Sequence, residues 1–182
     1  ALNKTTGQEI WKHQMKGAVV AAPLYDSNTE TLYLGSLGKD FVALDSITGE
    51  LKWEFTSSNA ISSIWATPAM ISDQLVFSDE AGKVVGLNPQ TGEFLWQFEA
   101  GGSMLSGVVA TPKGFVLALE DGTMTSYDFS RNPVWTKKIN GTIFSTPAIF
   151  GETVYVGTIS SDALVYAYDL NGTQLWSYKP AN

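Results

Sequence analysis

The chain of 182 residues contains no cysteine and only one histidine, His13. Without cysteine it can form neither a disulfide framework nor a thiolate metal site. A single histidine argues against a Ser-His-Asp triad and against a multi-histidine metal site. Because His13 follows a tryptophan expected on an outer strand, we interpret it as an exposed strand residue.

Basic charge and long apolar runs are also scarce. The sequence has 11 Lys and Arg against 18 Asp and Glu, so its formal net charge is −7. Nucleic acids and anionic membranes are both bound through basic surfaces, so neither is an expected partner. No run of about 18 apolar residues occurs, and we therefore expect no insertion into a membrane by this chain.

What the sequence does contain is one phrase, repeated five times, that ends in tryptophan. In the clearest copies the phrase runs from Leu44 to Trp53 and from Leu87 to Trp96, with a Thr-Gly pair four residues before the tryptophan. The steps between successive tryptophans are 42, 43, 39 and 41 residues. Such a period is typical of a repeat array or a β-propeller. The five tryptophans are Trp11, Trp53, Trp96, Trp135 and Trp176.

Between these tryptophans the apolar residues alternate with period two, and no long stretch has helical periodicity. The last repeat shows this best: it predicts strands over residues 143–150, 153–157, 164–168 and 173–178, separated by turns at 151–152, 160–162 and 171–172. Four short antiparallel strands per unit correspond to one propeller blade. The sequence therefore predicts an all-β protein, a β-propeller built of four-stranded antiparallel blades.

The tryptophans themselves are interpreted as structural. The Thr-Gly or Asn-Gly pair before most of them is turn chemistry, because glycine adopts positive φ and the side chain of Thr or Asn bonds the local backbone. Each tryptophan can then lay its flat ring against the neighbouring blade. Burial of such a ring contributes about 2–3 kcal/mol to a contact between blades. We expect Trp11, Trp53, Trp96, Trp135 and Trp176 to act as docking residues.

The phrase Ala-x-Asp-x-x-Thr-Gly-x-x-x-Trp, which residues 43–53 match in full, resembles the repeat of the pyrroloquinoline-quinone-like propellers. That family includes quinoprotein alcohol dehydrogenases and the BamB-type outer-membrane assembly lipoproteins. The other four copies depart from the phrase at one position or more, and the copy that ends at Trp135 lacks the Thr-Gly pair. The resemblance covers essentially the whole chain and is specific for fold rather than activity.

The repeats divide the chain into expected units. Propellers of this family usually have about eight blades, so we expect the chain to form part of a larger ring. The alternatives are that two chains complete one ring, or that an open array is capped by a partner. The expected units are a half-blade, residues 1–17, which supplies third and fourth strands only, and four blades, residues 18–57, 58–100, 101–140 and 141–182.

Candidate chemistry is sparse. Quinoprotein dehydrogenases of the family hold their quinone with a disulfide between adjacent cysteines, which this chain cannot form. Paired carboxylates occur at Asp79-Glu80 and Glu120-Asp121 and can in principle act as acid and base or bind calcium. Because Gly82 or Gly122 follows each pair closely, we interpret them as residues of the turns between second and third strands. We expect no catalytic residue, metal or cofactor in this chain.

One tryptophan, Trp65, lies outside the repeat. It precedes Pro68 by three residues, where the chain enters the innermost strand near one mouth of the central channel. Apolar residues recur at the corresponding places, which we assign to Val20, Met104 and Phe144. They either pack the channel entrance or form an apolar rim that docks a peptide or partner strand, since aromatic residues and Met are enriched at interfaces.

The resemblance implies a function. It is closest to the BamB-like, extracytoplasmic type, which implies a non-catalytic scaffold that binds proteins during outer-membrane assembly. We therefore expect protein partners, possible self-association that completes the ring, and a location in the periplasm or at the cell surface. The alternatives are a fragment of a quinone-dependent alcohol or sugar dehydrogenase, and the sensor domain of a membrane receptor or kinase.

Overall fold

The computed structural model describes residues 1–55, 61–159 and 162–181. These residues contain sixteen β-strands and no helix, hence no helix that could cross a membrane. The strands form four sheets, and each sheet consists of four strands that are consecutive in the chain and antiparallel. This confirms the predicted all-β fold class with four-stranded antiparallel blades.

The strands are numbered in chain order. The first blade consists of β1 Leu24–Asp26, β2 Thr31–Gly35, β3 Phe41–Asp45 and β4 Leu51–Phe55. The second consists of β5 Ala69–Ile71, β6 Gln74–Ser78, β7 Lys83–Leu87 and β8 Phe94–Glu99. The third consists of β9 Val109–Thr111, β10 Gly114–Ala118, β11 Thr123–Asp128 and β12 Pro133–Lys138. The fourth consists of β13 Ala148–Phe150, β14 Thr153–Gly157, β15 Val165–Asp169 and β16 Gln174–Tyr178.

Strand β9 contacts both β5 and β13, so the first strand of each blade is the innermost. Because the four strands of a blade are antiparallel and consecutive, the turns between them lie alternately at the two ends of the sheet. The turns between second and third strands lie at the same end as the segments that connect blades, which we call the connection end. The turns between third and fourth strands lie at the opposite end.

The predicted strands and the observed strands differ mainly on the innermost strand. Strand β14 has the predicted bounds, whereas β13 begins at Ala148 instead of residue 143. Pro147 has no N–H to donate to a ladder, and Ile143 donates its N–H to Glu120 O of the third blade, 3.1 Å away, instead of to β14. The predicted turn at 160–162 includes residues 160 and 161, which lie outside the described residues.

Residues 1–17 cover one face of the first blade. They form a turn closed by an isolated bridge between Leu2 and Glu9, without a regular strand. Met15 is buried against Val42 and Leu44 of β3. His13 is half-buried and lies on no strand, so the prediction of an exposed strand histidine is wrong. The reason is that residues 11–15 pack against the first blade without pairing into a ladder.

The core consists of the layers between neighbouring blades. Between the first and second blades, Phe41 and Phe77 stack with ring centroids 4.3 Å apart. Similar apolar clusters join the second blade to the third and the third to the fourth. Among the residues that the structure describes, none forms such a layer on the far face of the fourth blade, and every residue of β16 is exposed. The division into units at residues 17, 57, 100 and 140 stays a prediction, and position 57 lies outside the described residues.

Candidate functional site

The turns between third and fourth strands share one geometry in the first two blades. In the first blade, Asp45 Oδ1 accepts hydrogen bonds from the backbone N–H groups of Ile47 and Thr48, at 3.0 and 2.9 Å. These bonds, that of Thr48 above all, favour the carboxylate and lower the pKa of Asp45 below its ordinary value. Gly49 closes the turn with φ of 76°. The turn therefore presents a fixed backbone surface with a glycine in it.

Tryptophans of one blade lie on these turns of the next blade. Trp53 Nε1 donates to Pro89 O of the second blade at 3.0 Å, and its ring lies over Gly92. A Cβ atom at Gly92 would come within 2.6 Å of the Trp53 ring, so only glycine leaves room for the indole. The same arrangement joins Trp11 to Ser46 O at 3.1 Å and Trp135 to Leu170 O at 3.0 Å.

A small residue on the third strand lets each indole lie flat across its own sheet. Trp53 is paired in register with Ala43, and Ala43 is paired with Tyr33 on β2. The phenolic O–H of Tyr33 also donates to Pro89 O, at 3.2 Å. Two donors of the first blade thus converge on one carbonyl of the second. This pairing explains the alanine in the sequence phrase, whose role the sequence alone had left open.

Trp96 is docked differently, because the turn that follows it lacks glycine. Its Nε1 donates to Gln74 Oε1 of its own blade at 2.7 Å. In the third blade Arg131 takes the position of the turn glycine with φ of 70°. Its guanidinium lies over the Trp96 ring, 5.1 Å from the centroid. Trp176, on the last blade, has 46% of its surface exposed.

At the connection end, each segment between blades is held by backbone hydrogen bonds to two turns. Before the second blade, Ser63 O accepts from Glu80 N at 2.8 Å, and Ile64 N donates to Ser36 O at 3.1 Å. The next segments repeat the pattern with Met104 N to Glu80 O and Ile143 N to Glu120 O, both at 3.1 Å. The residue that follows each of these donors therefore has a fixed position.

The residues at this position of the four blades are apolar, and three of them are exposed. Exposed fractions are 51% for Val20, 39% for Trp65 and 47% for Phe144. Met104 does not belong to this set, because it is 1% exposed and packs between the second and third blades. The residue in register is Leu105, which is half-buried. From here on, the apolar rim means Val20, Trp65, Leu105 and Phe144.

Carboxylates at the connection end hold backbone. Asp79 is 1% exposed, and it accepts from Ser62 N at 2.6 Å and from Lys83 N at 2.9 Å. Asp121 forms an ion pair with Lys138 at 2.5 Å, and this hydrogen bond lowers the pKa of Asp121. Both acidic pairs, 79–80 and 120–121, begin the turns between second and third strands, as predicted.

The described carboxylates do not form a cluster that could hold a metal ion. Within residues 1–55, 61–159 and 162–181, no three His, Cys, Asp or Glu side chains come together as a metal site would require. Both carboxylate oxygens of Asp79 accept hydrogen bonds from backbone N–H groups. The chain also lacks the adjacent cysteines of the quinone site.

Comparison with known proteins identifies the family. The profile of outer membrane protein assembly factor BamB matches residues 1–103 and 95–182, which together include every residue. The chain belongs to the BamB family. This confirms the resemblance to propellers of the BamB type that the repeat phrase indicated.

Individual relatives are distant. BamB of Nitrosomonas eutropha is 27% identical over 113 residues, which cover 62% of this chain and 27% of that protein. The crystal structure of BamB from Moraxella catarrhalis has a TM-score of 0.75 at 17% identity, covering 94% of this chain and 56% of that one. The quinohemoprotein alcohol dehydrogenase of Comamonas testosteroni has a TM-score of 0.72 at 15% identity, covering 90% and 35%. The chain thus spans about a quarter of the curated BamB and about half of the solved one.

Proposed function

We propose that this chain is a non-catalytic propeller scaffold that binds other proteins outside the cytoplasm during outer-membrane protein assembly. Membership of the BamB family supports this proposal, since the proteins of that family are outer membrane protein assembly factors. The dehydrogenase shares the fold, but at 15% identity the likeness extends to fold alone. Nothing in the described residues favours a sensor function over a scaffold.

The observation that carries the binding role is the apolar rim. Val20, Trp65 and Phe144 recur once per blade, and each is substantially exposed although apolar. Tryptophan is among the residues that most often dominate binding energy at protein interfaces. Backbone hydrogen bonds hold Ile64 and Ile143, the residues before Trp65 and Phe144, so little conformational entropy is lost there when a partner binds.

The surroundings of the rim indicate what the partner looks like. A cleft of about 280 Å³ lies at the opposite end, whereas one of about 250 Å³ lies at the connection end, lined by Ser103, Glu120, Asp121 and Thr142. Because Asp121 is paired with Lys138, the carboxylate of Glu120 and the net charge of −7 favour a partner that carries basic residues beside apolar ones. We propose that an extended segment of an outer-membrane protein, with alternating apolar residues, lies along the rim.

A fluorescent peptide of about ten residues, the length of a transmembrane β-strand, tests this proposal. Its sequence would alternate apolar residues with lysine and threonine, and fluorescence anisotropy would report binding. We expect the double variant Trp65→Ala, Phe144→Ala to bind at least about tenfold more weakly, a loss of about 1.4 kcal/mol.

The matched control is Phe129→Ala, because Phe129 is 50% exposed against 47% for Phe144 but lies at the opposite end of the sheets. This variant should bind like the unmodified chain. Equal binding by the rim variant and the unmodified chain would contradict the proposed use of the rim.

The partners we propose also include a further propeller blade at the open faces of the array. The far face of the fourth blade is exposed along the whole of β16. Self-association through such a face would cover an unpaired apolar surface that otherwise favours aggregation.

A further inference from the structure

The cleft of about 280 Å³ at the opposite end lies between the first and second blades. Leu24 and Asp26 of β1 line it from the first blade, and Met70 of β5 lines it from the second. Leu24 and Met70 also pack on the apolar cluster that joins the two blades. The cleft is therefore continuous with this cluster, and both of its walls belong to four-stranded sheets.

The cleft coincides with a long turn in the first blade. The turn between β1 and β2 has four residues, 27–30, whereas the corresponding turn of each other blade has two. Asp26 holds the long turn, since it accepts hydrogen bonds from Asn28 N at 2.9 Å and from Thr29 Oγ1 at 2.8 Å. The bond from Asn28 N above all lowers the pKa of Asp26, so this group is a carboxylate at neutral pH.

The contact between the third and fourth blades shows what can bridge the equivalent space. Lys113 lies in the turn between β9 and β10, and its Nζ donates to Asn171 Oδ1 of the fourth blade at 3.1 Å. Asn171 directly follows the carbonyl that accepts the Trp135 indole, as Gln90 follows the carbonyl that accepts the Trp53 indole. Gln90 is thus the counterpart of Asn171, and it lines the cleft. The turn of the first blade contains no lysine, so a counterpart of Lys113 is missing there.

The contact between the second and third blades uses an apolar residue instead. Ile71 takes the place of Asp26, because both residues end the innermost strand of their blade. Ile71 is 6% exposed and packs in the cluster between its blade and the next. In the first blade this place presents a carboxylate, and the cleft lies beside it.

The acceptors in the cleft suit an ammonium group. Besides Asp26 and the amide of Gln90, Asp73 lines the cleft, and its carboxylate accepts no hydrogen bond from the residues that the structure describes. Lys52, whose charge acts on Asp26, is itself paired with Asp45 at 3.6 Å. An ammonium group has three N–H donors, and the cleft offers three side chains that can accept them.

We propose that this cleft binds the side chain of a lysine from a partner protein. The methylene stem lies along Leu24 and Met70, as lysine stems do on apolar surfaces, and the ammonium group bonds Asp26, Asp73 and Gln90. The volume of about 280 Å³ lies just below the range of about 300–1,000 Å³ typical of small-molecule sites, which favours one long side chain over a larger ligand. This site rests on the proposed protein-binding function, but it lies at the opposite end from the apolar rim.

NMR of the methionine methyl groups reports on this cleft directly. Met70 lines the cleft, whereas Met15, Met104 and Met124 are buried elsewhere. The probe is the blocked peptide acetyl-Gly-Lys-Gly-amide, added to the full chain with isotope-labelled methionine methyl groups. We expect the Met70 signal alone to shift and to saturate, with a Kd of about 1 mM, a weak affinity suited to one side chain. The three buried methyl groups are internal controls.

A second peptide tests the role of the charge. It carries norleucine, which keeps an apolar stem but lacks the ammonium group, and it should bind at least about tenfold more weakly, because charge-assisted hydrogen bonds are lost. Salt of about 1 M should also weaken binding of the lysine peptide, since exposed charge pairs are screened.

Substitutions that remove charge test the acceptors. Asp73→Asn should weaken binding about twofold to fivefold, as expected for an exposed ion pair. Adding Asp26→Asn, which keeps an oxygen for Asn28 N, should bring the loss to at least about tenfold. The matched control is Glu152→Gln, which removes the same charge from the equivalent turn of the fourth blade and should bind like the unmodified chain. Thermal unfolding checks that the variants fold, and Asp73→Asn alone decides if the double variant does not.

Four results would overturn the proposal: a Met70 signal that does not move, equal binding of the norleucine peptide, equal binding by Asp73→Asn, or tighter binding of n-pentylamine than of the lysine peptide. The last would assign the cleft to a small amine. The rim variant Trp65→Ala, Phe144→Ala should bind the lysine peptide like the unmodified chain. The proposals for the rim and for the cleft therefore fail separately.

Discussion

Two contacts between neighbouring blades cover a tryptophan ring with different residues. One joins the first blade to the second, and the other joins the second to the third. In the first contact, glycine at position 92 makes room for the Trp53 ring, and Pro89 O accepts its indole N–H. In the second, Arg131 replaces glycine at the same place in the turn and covers the Trp96 ring with its guanidinium. The indole N–H then bonds Gln74 of its own blade.

The difference shows which part of the repeat is indispensable. Both turns contain a residue with positive φ, and both place a planar group, either the peptide backbone or a guanidinium, against the indole. Glycine provides the conformation without strain and leaves the backbone as the flat surface. Arg131 adopts a φ that is unfavourable for a residue with a Cβ atom. Its planar guanidinium then covers the ring, since a guanidinium stacks on an aromatic face. In both contacts the indole is therefore covered, and the Thr-Gly pair is one means of covering it.

The largest expected effect comes from deleting a docked indole. Trp53→Ala removes a ring that contacts two blades and one hydrogen bond to Pro89 O. We expect it to lower the free energy of unfolding by about 3 kcal/mol, the lower end of the range for buried Trp to Ala. Urea denaturation measures this loss. Trp176→Ala, measured below the concentration of self-association, is the control and should lose much less; equal losses would contradict the distinction between docked and undocked tryptophans.

A smaller effect is expected from filling the space under the indole. Gly92→Ala adds a Cβ atom that would lie 2.6 Å from the Trp53 ring, at φ of 71°. Overpacking and backbone strain together should lower the free energy of unfolding by about 1–3 kcal/mol. Gly7→Ala carries the same strain at φ of 72° but meets no atom. The difference between the two variants isolates the clash, and a difference of zero would show that the ring does not need the glycine.

The smallest effect is expected at the contact between the second and third blades, where Arg131 covers the Trp96 ring. Arg131→Ala removes the guanidinium from the Trp96 ring and leaves the strained turn in place. A cation over an exposed aromatic ring contributes about 0.5–1 kcal/mol, and we expect a loss of that size in urea denaturation. Arg131→Lys should lose less, because it retains the charge. A loss for Arg131→Ala as large as that for Gly92→Ala would mean that the two contacts do not differ in the way described.

Much of the fold was predictable because period two is a direct consequence of strand geometry. The bounds of β2, β6 and β14 follow from alternating residues between turn signals. The innermost strands were harder to predict. Whether residues 143–147 extend β13 or bond the neighbouring turn depends on a partner 23 residues away, Glu120, and no local pattern encodes that choice.

The candidate rim shows where reasoning from sequence failed by one residue. Counting back from Gly107, as from Pro68 and Pro147, leads to Met104. In the structure Gly107 is instead equivalent to Thr67 and Thr146 of the neighbouring blades. A Cβ atom at Gly107 would lie 2.8 Å from Thr67 O and 3.0 Å from Thr146 Oγ1. Counting back four residues from the first residue of each innermost strand gives Leu105, in register with Trp65. The bounds of those strands were the missing information.

The measurement that tests the account most directly is hydrogen exchange of the tryptophan indoles, followed by NMR at low protein concentration. The account predicts slow exchange for the four indoles that donate hydrogen bonds, namely Trp11, Trp53, Trp96 and Trp135. It predicts fast exchange for Trp65 and Trp176. Protection of Trp176 in dilute monomer, or rapid exchange of Trp53 and Trp135, would contradict the claim that Trp53 and Trp135 dock on the blade that follows them whereas Trp176 is undocked.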